Sequence, residues 1–192
     1  MVRSLFLSLV LFAGASCAAA GEPSTSPPRE EVTHARTMVT MMDASGTVVE
    51  IPVTTTSYGG ARAVEIASNA DSVFLLLTGV YQDLGINVGT INGTNLTVGN
   101  TQIRVRGRLG RQPVSTFVDC GQTGLRGAAA DAYPIRLSVL STVIPNGDGS
   151  RLLTRVEGAY TAAEASGTVA CTSTGELEGM IGRAVLERSV RR

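Results

Sequence analysis

The sequence predicts an α+β domain in which an antiparallel sheet carries two main helices on one face, the second of them long and C-terminal. Two stretches place apolar residues at the three- and four-residue spacing of a helix. Other stretches alternate polar and apolar residues, or are rich in β-branched residues around turn signals, as antiparallel strands are. A run of strands separates the two helical stretches, and this order favours helices packed against one sheet face.

The first elements predict a hairpin and a short third strand. Residues 37–42 and 47–53 are rich in β-branched residues and flank a turn that contains Gly46. Residues 54–60 are expected to form a loop, and residues 63–67 a short strand.

The first helix is expected over residues 69–84. Ser68 and Asp71 have the spacing of a capping box, and Gly85 follows the last apolar position, where a left-handed residue often ends a helix. The apolar face of this helix consists of Val73, Leu76, Leu77, Val80, Tyr81 and Leu84.

The middle of the chain predicts a tight hairpin and an alternating strand. Residues 86–91 and 94–98 flank Asn92-Gly93, a strong signal for a two-residue turn. In residues 102–109, one face carries Ile103, Val105 and Leu109, and the other carries Arg104, Arg106 and Arg108. Three arginines on one strand face suit a phosphate, a carboxylate or an acidic partner. The alternative is a solvated face on which the arginines lie opposite acidic or polar residues of neighbouring strands.

The C-terminal part predicts a long hairpin followed by a long helix. Residues 133–144 and 151–161 read as two strands around a polar turn. The last helix is expected over residues 174–189, with Ser173 and Glu176 as a capping box. Its predicted buried face consists of Leu177, Met180, Ile181, Ala184 and Val185.

The N-terminus has the pattern of a secretory leader. Arg3 precedes an apolar run over residues 5–13, and small residues close the run. Cys17 directly follows Gly-Ala-Ser, which resembles the lipobox of bacterial lipoproteins and implies a signal peptide and acylation site over residues 1–17. The implied location is the periplasmic side of the outer membrane, with attachment through an N-terminal lipid. Cleavage after Ala20 is the alternative, and it would release a soluble periplasmic or secreted protein.

The rest of the chain divides into a tether and one domain. Residues 18–35 are small, polar and rich in proline, which predicts a flexible tether. Residues 36–192 are long enough for a single domain with its own core, and residues 36–62 are expected to form an N-terminal hairpin extension of that domain.

Cysteine use and charge narrow the possible functions. Cys120 and Cys171 are the cysteines of the predicted domain, and in an oxidising compartment they are expected to form a disulfide. The 16 acidic and 16 basic residues balance, which argues against nucleic acid as a partner. The single histidine, His34, lies at the end of the predicted tether. We therefore expect no metal, no cofactor and no catalytic residue.

The order of elements over residues 63–189 resembles the helix-grip arrangement. Among envelope lipoproteins, this order is similar to that of the C subunit of the outer-membrane β-barrel assembly machinery. The resemblance implies an architecture and carries over no binding residue.

The function expected from the sequence is that of a non-enzymatic, lipid-anchored envelope protein, acting as a protein-interaction or assembly accessory module. Its partner would be another envelope protein. Two alternatives stay open. One is a carrier of a small apolar ligand with a pocket under the terminal helix. The other is a hydrolase of unknown type, because the scattered carboxylates match no motif but leave a paired arrangement possible.

Overall fold

A computed structural model describes residues 33–42, 45–58, 60–123, 127–161 and 167–191. The predicted signal peptide, the acylation site Cys17 and most of the predicted tether lie outside the described residues. The first strand begins at Thr33, three residues before the predicted start of the domain at Arg36.

The described residues form eleven strands and three α-helices. The strands are β1 (Thr33–Met42), β2 (Val48–Tyr58), β3 (Ala61–Ile66), β4 (Thr90–Asn92), β5 (Thr97–Arg106), β6 (Arg108–Leu109), β7 (Gln112–Pro113), β8 (Val118–Asp119), β9 (Pro134–Asn146), β10 (Gly149–Thr161) and β11 (Thr168–Ser173). The helices are α1 (Ala70–Asp83), α2 (Ala129–Ala132) and α3 (Glu176–Val190), and a short 3₁₀ turn covers Val114–Thr116. The predicted α+β class is therefore confirmed.

The sheet is antiparallel and has the order β1-β2-β3-β10-β9-β5-β6-β7, with β4 beside β5 and β8 beside β11. The central strand β10 pairs with β9 along nearly its whole length. Two strands pair in succession with the other edge of β10: β3 pairs with Ser150–Arg155, and β11 pairs with Gly158–Thr161. The strands β3 and β11 thus lie end to end, and Val156 and Glu157 between them pair with neither.

Both long helices pack on one face of this sheet. The hydroxyl of Tyr81 in α1 donates to Ser141 Oγ of β9 at 3.0 Å, and Ser141 Oγ lies 2.9 Å from Thr154 Oγ1 of β10. On α3, Gly182 lies directly against Val64 of β3. The core between helices and sheet includes Leu77 and Val80 of α1, Leu137 and Val139 of β9, Leu152 of β10, and Leu177, Ile181 and Val185 of α3, each at most 1 % exposed.

The first helix has the predicted extent, but its N-terminal cap differs from the prediction. The backbone N–H of Ser72 donates to Asn69 Oδ1 at 2.9 Å, so Asn69 caps the helix and the predicted Ser68–Asp71 capping box is wrong. Gly85 has a φ of +74°, the left-handed conformation predicted for the residue that follows the helix.

Two predicted boundaries in the N-terminal half are wrong. β2 continues to Tyr58 through the predicted loop over residues 54–60, because residues 55–58 gain backbone partners in β3. Of the predicted strand over residues 86–91, only the end from Thr90 forms a strand.

The predicted two-residue turn at Asn92-Gly93 is a longer loop. The side chain of Asn92 accepts from the N–H groups of both Thr94 and Asn95, and strand pairing resumes at Thr97. The side-chain hydrogen bonds of Asn92 therefore stabilise a loop over residues 93–96, which is two residues longer than the predicted turn.

The C-terminal hairpin and the last helix were predicted correctly, but their ends differ from the prediction. The β9–β10 hairpin turns at Gly147 and Asp148, so both strands are longer than predicted. Strand β11 was not predicted. Helix α3 is confirmed, but the predicted Ser173–Glu176 capping box is wrong, because Ser173 Oγ accepts from the N–H of Gly175 instead.

The structure places Cys120 and Cys171 at disulfide distance, in agreement with the predicted pairing. Their sulfurs are 2.04 Å apart and their Cα atoms 4.3 Å apart. The bond ties the residue that follows β8 to β11, close to the start of α3. Within the described ranges, no helix combines the length and the apolar character needed to cross a membrane.

Candidate functional site

The predicted arginine stripe lies on the sheet face opposite the helices. Along β5, Ile103 and Val105 are half-buried, whereas Arg104 and Arg106 are exposed. The strand ends at Arg106, and Gly107, with a φ of +73°, turns the chain into β6, where Arg108 is also exposed. The alternation predicted from the sequence is therefore present, although the strand begins at Thr97 and ends at Arg106, before the predicted end at residue 109.

The neighbours of these arginines are not those expected of a solvated face. Arg104 lies directly opposite Arg136 of β9, and Arg106 lies between Pro134 and Arg108. The register therefore places arginine and proline, and no acidic residue, opposite Arg104 and Arg106. Like charges directly opposite one another on neighbouring strands are destabilising. We call the four exposed side chains Arg104, Arg106, Arg108 and Arg136 the arginine face.

No carboxylate of the described residues forms an ion pair with the arginine face. The ion pairs among the described residues join Arg151 to Glu65, Arg155 to Glu157 and Arg188 to Asp83, and none includes a member of the face. The one hydrogen bond from the face runs from Arg108 Nη1 to the carbonyl oxygen of Arg111 at 3.3 Å. The guanidinium groups of Arg104, Arg106 and Arg136 keep their donors available for an external anion.

A second site lies in the gap between the ends of β3 and β11 beside β10. The sequence analysis did not predict it. This cleft has a volume of about 440 Å³. It is lined by the ends of β3 and β11, by the part of β10 that pairs with neither of them, and by the first turn of α3. Glu178 lies at its floor, and Arg62, Ser173 and Thr174 contribute to its walls. We call it the Glu178 cleft.

Glu178 is a buried carboxyl with one unsatisfied oxygen. The residue is 2 % exposed, although it occupies the first turn of a helix. Ser173 Oγ donates to Oε1 at 2.6 Å, whereas Oε2 has no donor in hydrogen-bonding geometry among the described residues. Burial raises the pKa of Glu178, and the Ser173 hydroxyl, the backbone N–H groups of Glu178 and Val156 and the charge of Arg62 offset this only in part.

Arg62 enters the same cleft from β3. Its position opposite Thr154 directs it to the helix-covered face, and its Nη1 donates to the carbonyl oxygen of Gly175 at 2.8 Å. Glycines make this position possible, because a Cβ at Gly179 would lie 3.1 Å from Arg62 Nη1 and Gly175 has a φ of +83°. No ion pair joins Arg62 to Glu178 in the described structure.

A third cavity lies under the C-terminal end of α3. This groove has a volume of about 560 Å³ and is lined by apolar side chains of Ile66, Ala67, Leu186 and Val190. Ser150 also lines it, is 1 % exposed, and its Oγ has no hydrogen-bond partner among the described residues. We call it the α3 groove.

The comparisons with known proteins add no relative, since neither a scan against protein-family models nor a search of curated proteins finds a match. In the part of the chain that the structure describes, no three His, Cys, Asp or Glu side chains come close enough to hold a metal ion.

The sequence analysis missed Arg136 and Glu178 for different reasons. Arg136 alternates with buried Ile135 and Leu137, so its outward direction was readable, but its position opposite Arg104 depends on strand pairing. Glu178 lies in the first turn of α3, where an acidic residue suits the helix dipole. Its burial follows from the packing of α3 against β3 and β10.

Proposed function

We propose that the protein is a non-enzymatic, lipid-anchored envelope protein whose domain is a protein-interaction module. The leader and the Cys17 lipobox support export and attachment to the periplasmic side of the outer membrane. Two long helices on one face of an antiparallel sheet support a helix-grip-like arrangement of the domain. The helices bury an apolar core against one face of the sheet, so the other face is the one more open to a protein partner.

The partner surface in this proposal is the arginine face, and the partner is an acidic segment of another envelope protein. The observation that carries the proposal is the direct opposition of Arg104 and Arg136, neither of which forms an ion pair with a carboxylate of the described residues. An acidic segment would remove the repulsion between the two guanidinium groups and accept several charge-assisted hydrogen bonds.

A binding experiment with a fluorescein-labelled oligoglutamate peptide tests this partner class. Replacing Arg104 and Arg136 with serine should weaken binding about tenfold or more, since a hydrogen bond to a charged group contributes about 1.5–3 kcal/mol. The matched control replaces Arg183 and Arg191, two exposed arginines of the C-terminal region, and so changes the net charge equally. Equal weakening by both pairs would mean that only net charge matters. Arginine-dependent binding to phosphatidylglycerol vesicles without binding to oligoglutamate would identify lipid as the partner instead.

Intact-mass analysis of the protein from the membrane fraction tests the anchor. We expect a mature chain that begins at Cys17 and carries lipid, and a Cys17→Ala variant that leaves the membrane fraction. A mature N-terminus at Gly21 would contradict the anchor and favour cleavage after Ala20.

The second candidate function is that of a carrier for a small apolar ligand, and the α3 groove favours it. The groove lies under the terminal helix and combines apolar walls with the unpaired hydroxyl of Ser150. Binding of the fluorescent probe N-phenyl-1-naphthylamine tests the carrier. Ala67→Phe, which fills the groove, should abolish the signal, whereas Ala170→Phe at an exposed position of β11 should leave it unchanged.

A further inference from the structure

Two opposite charges share the Glu178 cleft without pairing with each other. Glu178 lines the cleft, and its Oε2 is buried and has no hydrogen-bond partner in good geometry among the described residues. The guanidinium of Arg62 donates one hydrogen bond, to the Gly175 carbonyl oxygen, and a guanidinium has five N–H donors. Each group therefore retains capacity for a partner of the opposite charge.

A purely structural role accounts poorly for Glu178. The start of α3 already has Glu176, an exposed acidic residue that suits the helix dipole without the cost of burial. A buried carboxylate oxygen without a donor costs free energy, and a residue with no charge would avoid that cost. A bound group that donates a hydrogen bond to Oε2 would offset this cost in free energy.

The topology forms the cleft before any ligand arrives. Since β3 and β11 lie end to end beside β10, the gap between them is part of the sheet itself. The Cys120–Cys171 disulfide holds the β11 side, and Gly175 and Gly179 leave room for Arg62 on the helix side. A preformed site loses little conformational entropy when it binds a ligand.

The rim of the cleft is electrically balanced. Arg155 and Glu157 line it and form an ion pair with 2.7 Å between Arg155 Nη2 and Glu157 Oε1. The cleft as a whole therefore presents one free positive and one free negative group. This arrangement is complementary to a ligand that carries both charges and has no net charge.

We infer that the Glu178 cleft binds a small zwitterion, either an α-amino acid or a short peptide, whose ammonium group donates to Glu178 and whose carboxylate accepts from Arg62. The volume of about 440 Å³ lies in the range of small-molecule sites. The residues that line this site include none of the arginine face.

Isothermal titration calorimetry with the dipeptide L-alanyl-L-alanine tests the inference on the protein with its disulfide intact. N-acetylation removes the ammonium group and C-terminal amidation removes the carboxylate. Each change should weaken binding about tenfold or more, since each removes a hydrogen bond to a charged group. The variants Glu178→Gln and Arg62→Gln should reproduce these two losses, and binding of the acetylated dipeptide should be insensitive to Glu178→Gln.

Rim variants provide the matched control. Glu157→Gln and Arg155→Gln make the same chemical changes in the same cleft, at side chains that already pair with each other, and should leave dipeptide binding within about twofold. Binding should also survive the Arg104 and Arg136 replacements, which separates this inference from the proposed function.

Two results would overturn the inference. One is the absence of dipeptide binding to the wild-type protein at millimolar concentration. The other is equal binding of the free, acetylated and amidated dipeptides. The comparison of the three ligands needs only wild-type protein, so it decides the question even if a Glu178 variant fails to fold.

Discussion

The two faces of the sheet differ in how their side chains are satisfied. On the face under the helices, side chains such as Leu152 and Val139 are completely buried, and the polar groups of Tyr81, Ser141 and Thr154 bond to one another. On the other face, which none of the described α-helices covers, Arg104 and Arg136 lie opposite each other and form no ion pair with a described carboxylate. One face thus holds the domain together, and the other carries arginines that the described carboxylates do not neutralise.

Because of this difference, substitutions on the two faces should affect the free energy of unfolding differently. Substitutions on the helix-covered face act on packing and should change the free energy of unfolding. Substitutions on the open face remove exposed charges that contribute little to folding. The Glu178 cleft is the exception, because there a charged group lies on the helix-covered side and is only partly satisfied.

The largest effect is expected from loss of the disulfide, which lies on the helix-covered side. Replacing Cys120 and Cys171 with alanine opens a loop closed over 51 residues and should destabilise the domain by about 4 kcal/mol in the chain-entropy model. Chemical denaturation of the wild-type and variant proteins measures this difference. If both thiols of the native, unreduced wild-type protein react with a thiol reagent, the disulfide itself is absent.

Adjacent leucines on β10 compare the two faces directly. Leu152 is completely buried under the helices, whereas its neighbour Leu153 is half-buried on the open face. Leu152→Ala should cost about 3 kcal/mol, because it leaves a cavity in the core. Leu153→Ala should cost about 1 kcal/mol or less. Equal losses in urea denaturation would show that something covers the open face.

Titration of Glu178 should appear as a pH dependence of stability. Burial raises its pKa in the folded protein, so the folded state holds the proton more tightly than the unfolded state. The stability associated with this group is then present below its ordinary pKa and is lost as pH rises through the raised one. The melting temperature of Glu178→Gln should therefore rise relative to that of the wild type as the pH rises through this interval. The exposed neighbour Glu176→Gln is the control, and a gain of equal size there would refute the assignment to Glu178.

The smallest change in stability is expected on the arginine face. Replacing Arg104, Arg106 and Arg108 together with serine should shift the free energy of unfolding by no more than about 0.5 kcal/mol, since exposed charges contribute little. Val105→Asp, one position along the same strand, places a charge on the helix-covered side and should be much more destabilising. Thermal melts that show similar losses for both variants would mean that the two faces of β5 are reversed.

Local patterns in the sequence determined the element types that depend on periodicity. The spacing of apolar residues predicted α1 and α3, and the alternation around Ile103 and Val105 predicted which way the arginines of β5 point. These predictions succeeded because each helix or strand buries one face, and the repeat of that face is visible in the chain itself. The predicted export signal stays a prediction from the sequence alone, since Cys17 lies outside the described residues.

Only the tertiary structure decided which groups meet. Arg104 and Arg136 become neighbours through the pairing of β5 with β9, and Arg62 reaches the start of α3 because β3 lies beside β10. The same pairing leaves the gap beside Val156 in which Glu178 is buried. Residues far apart in the chain come together through long-range hydrogen bonding and packing, and no periodic pattern within a single segment records those partners.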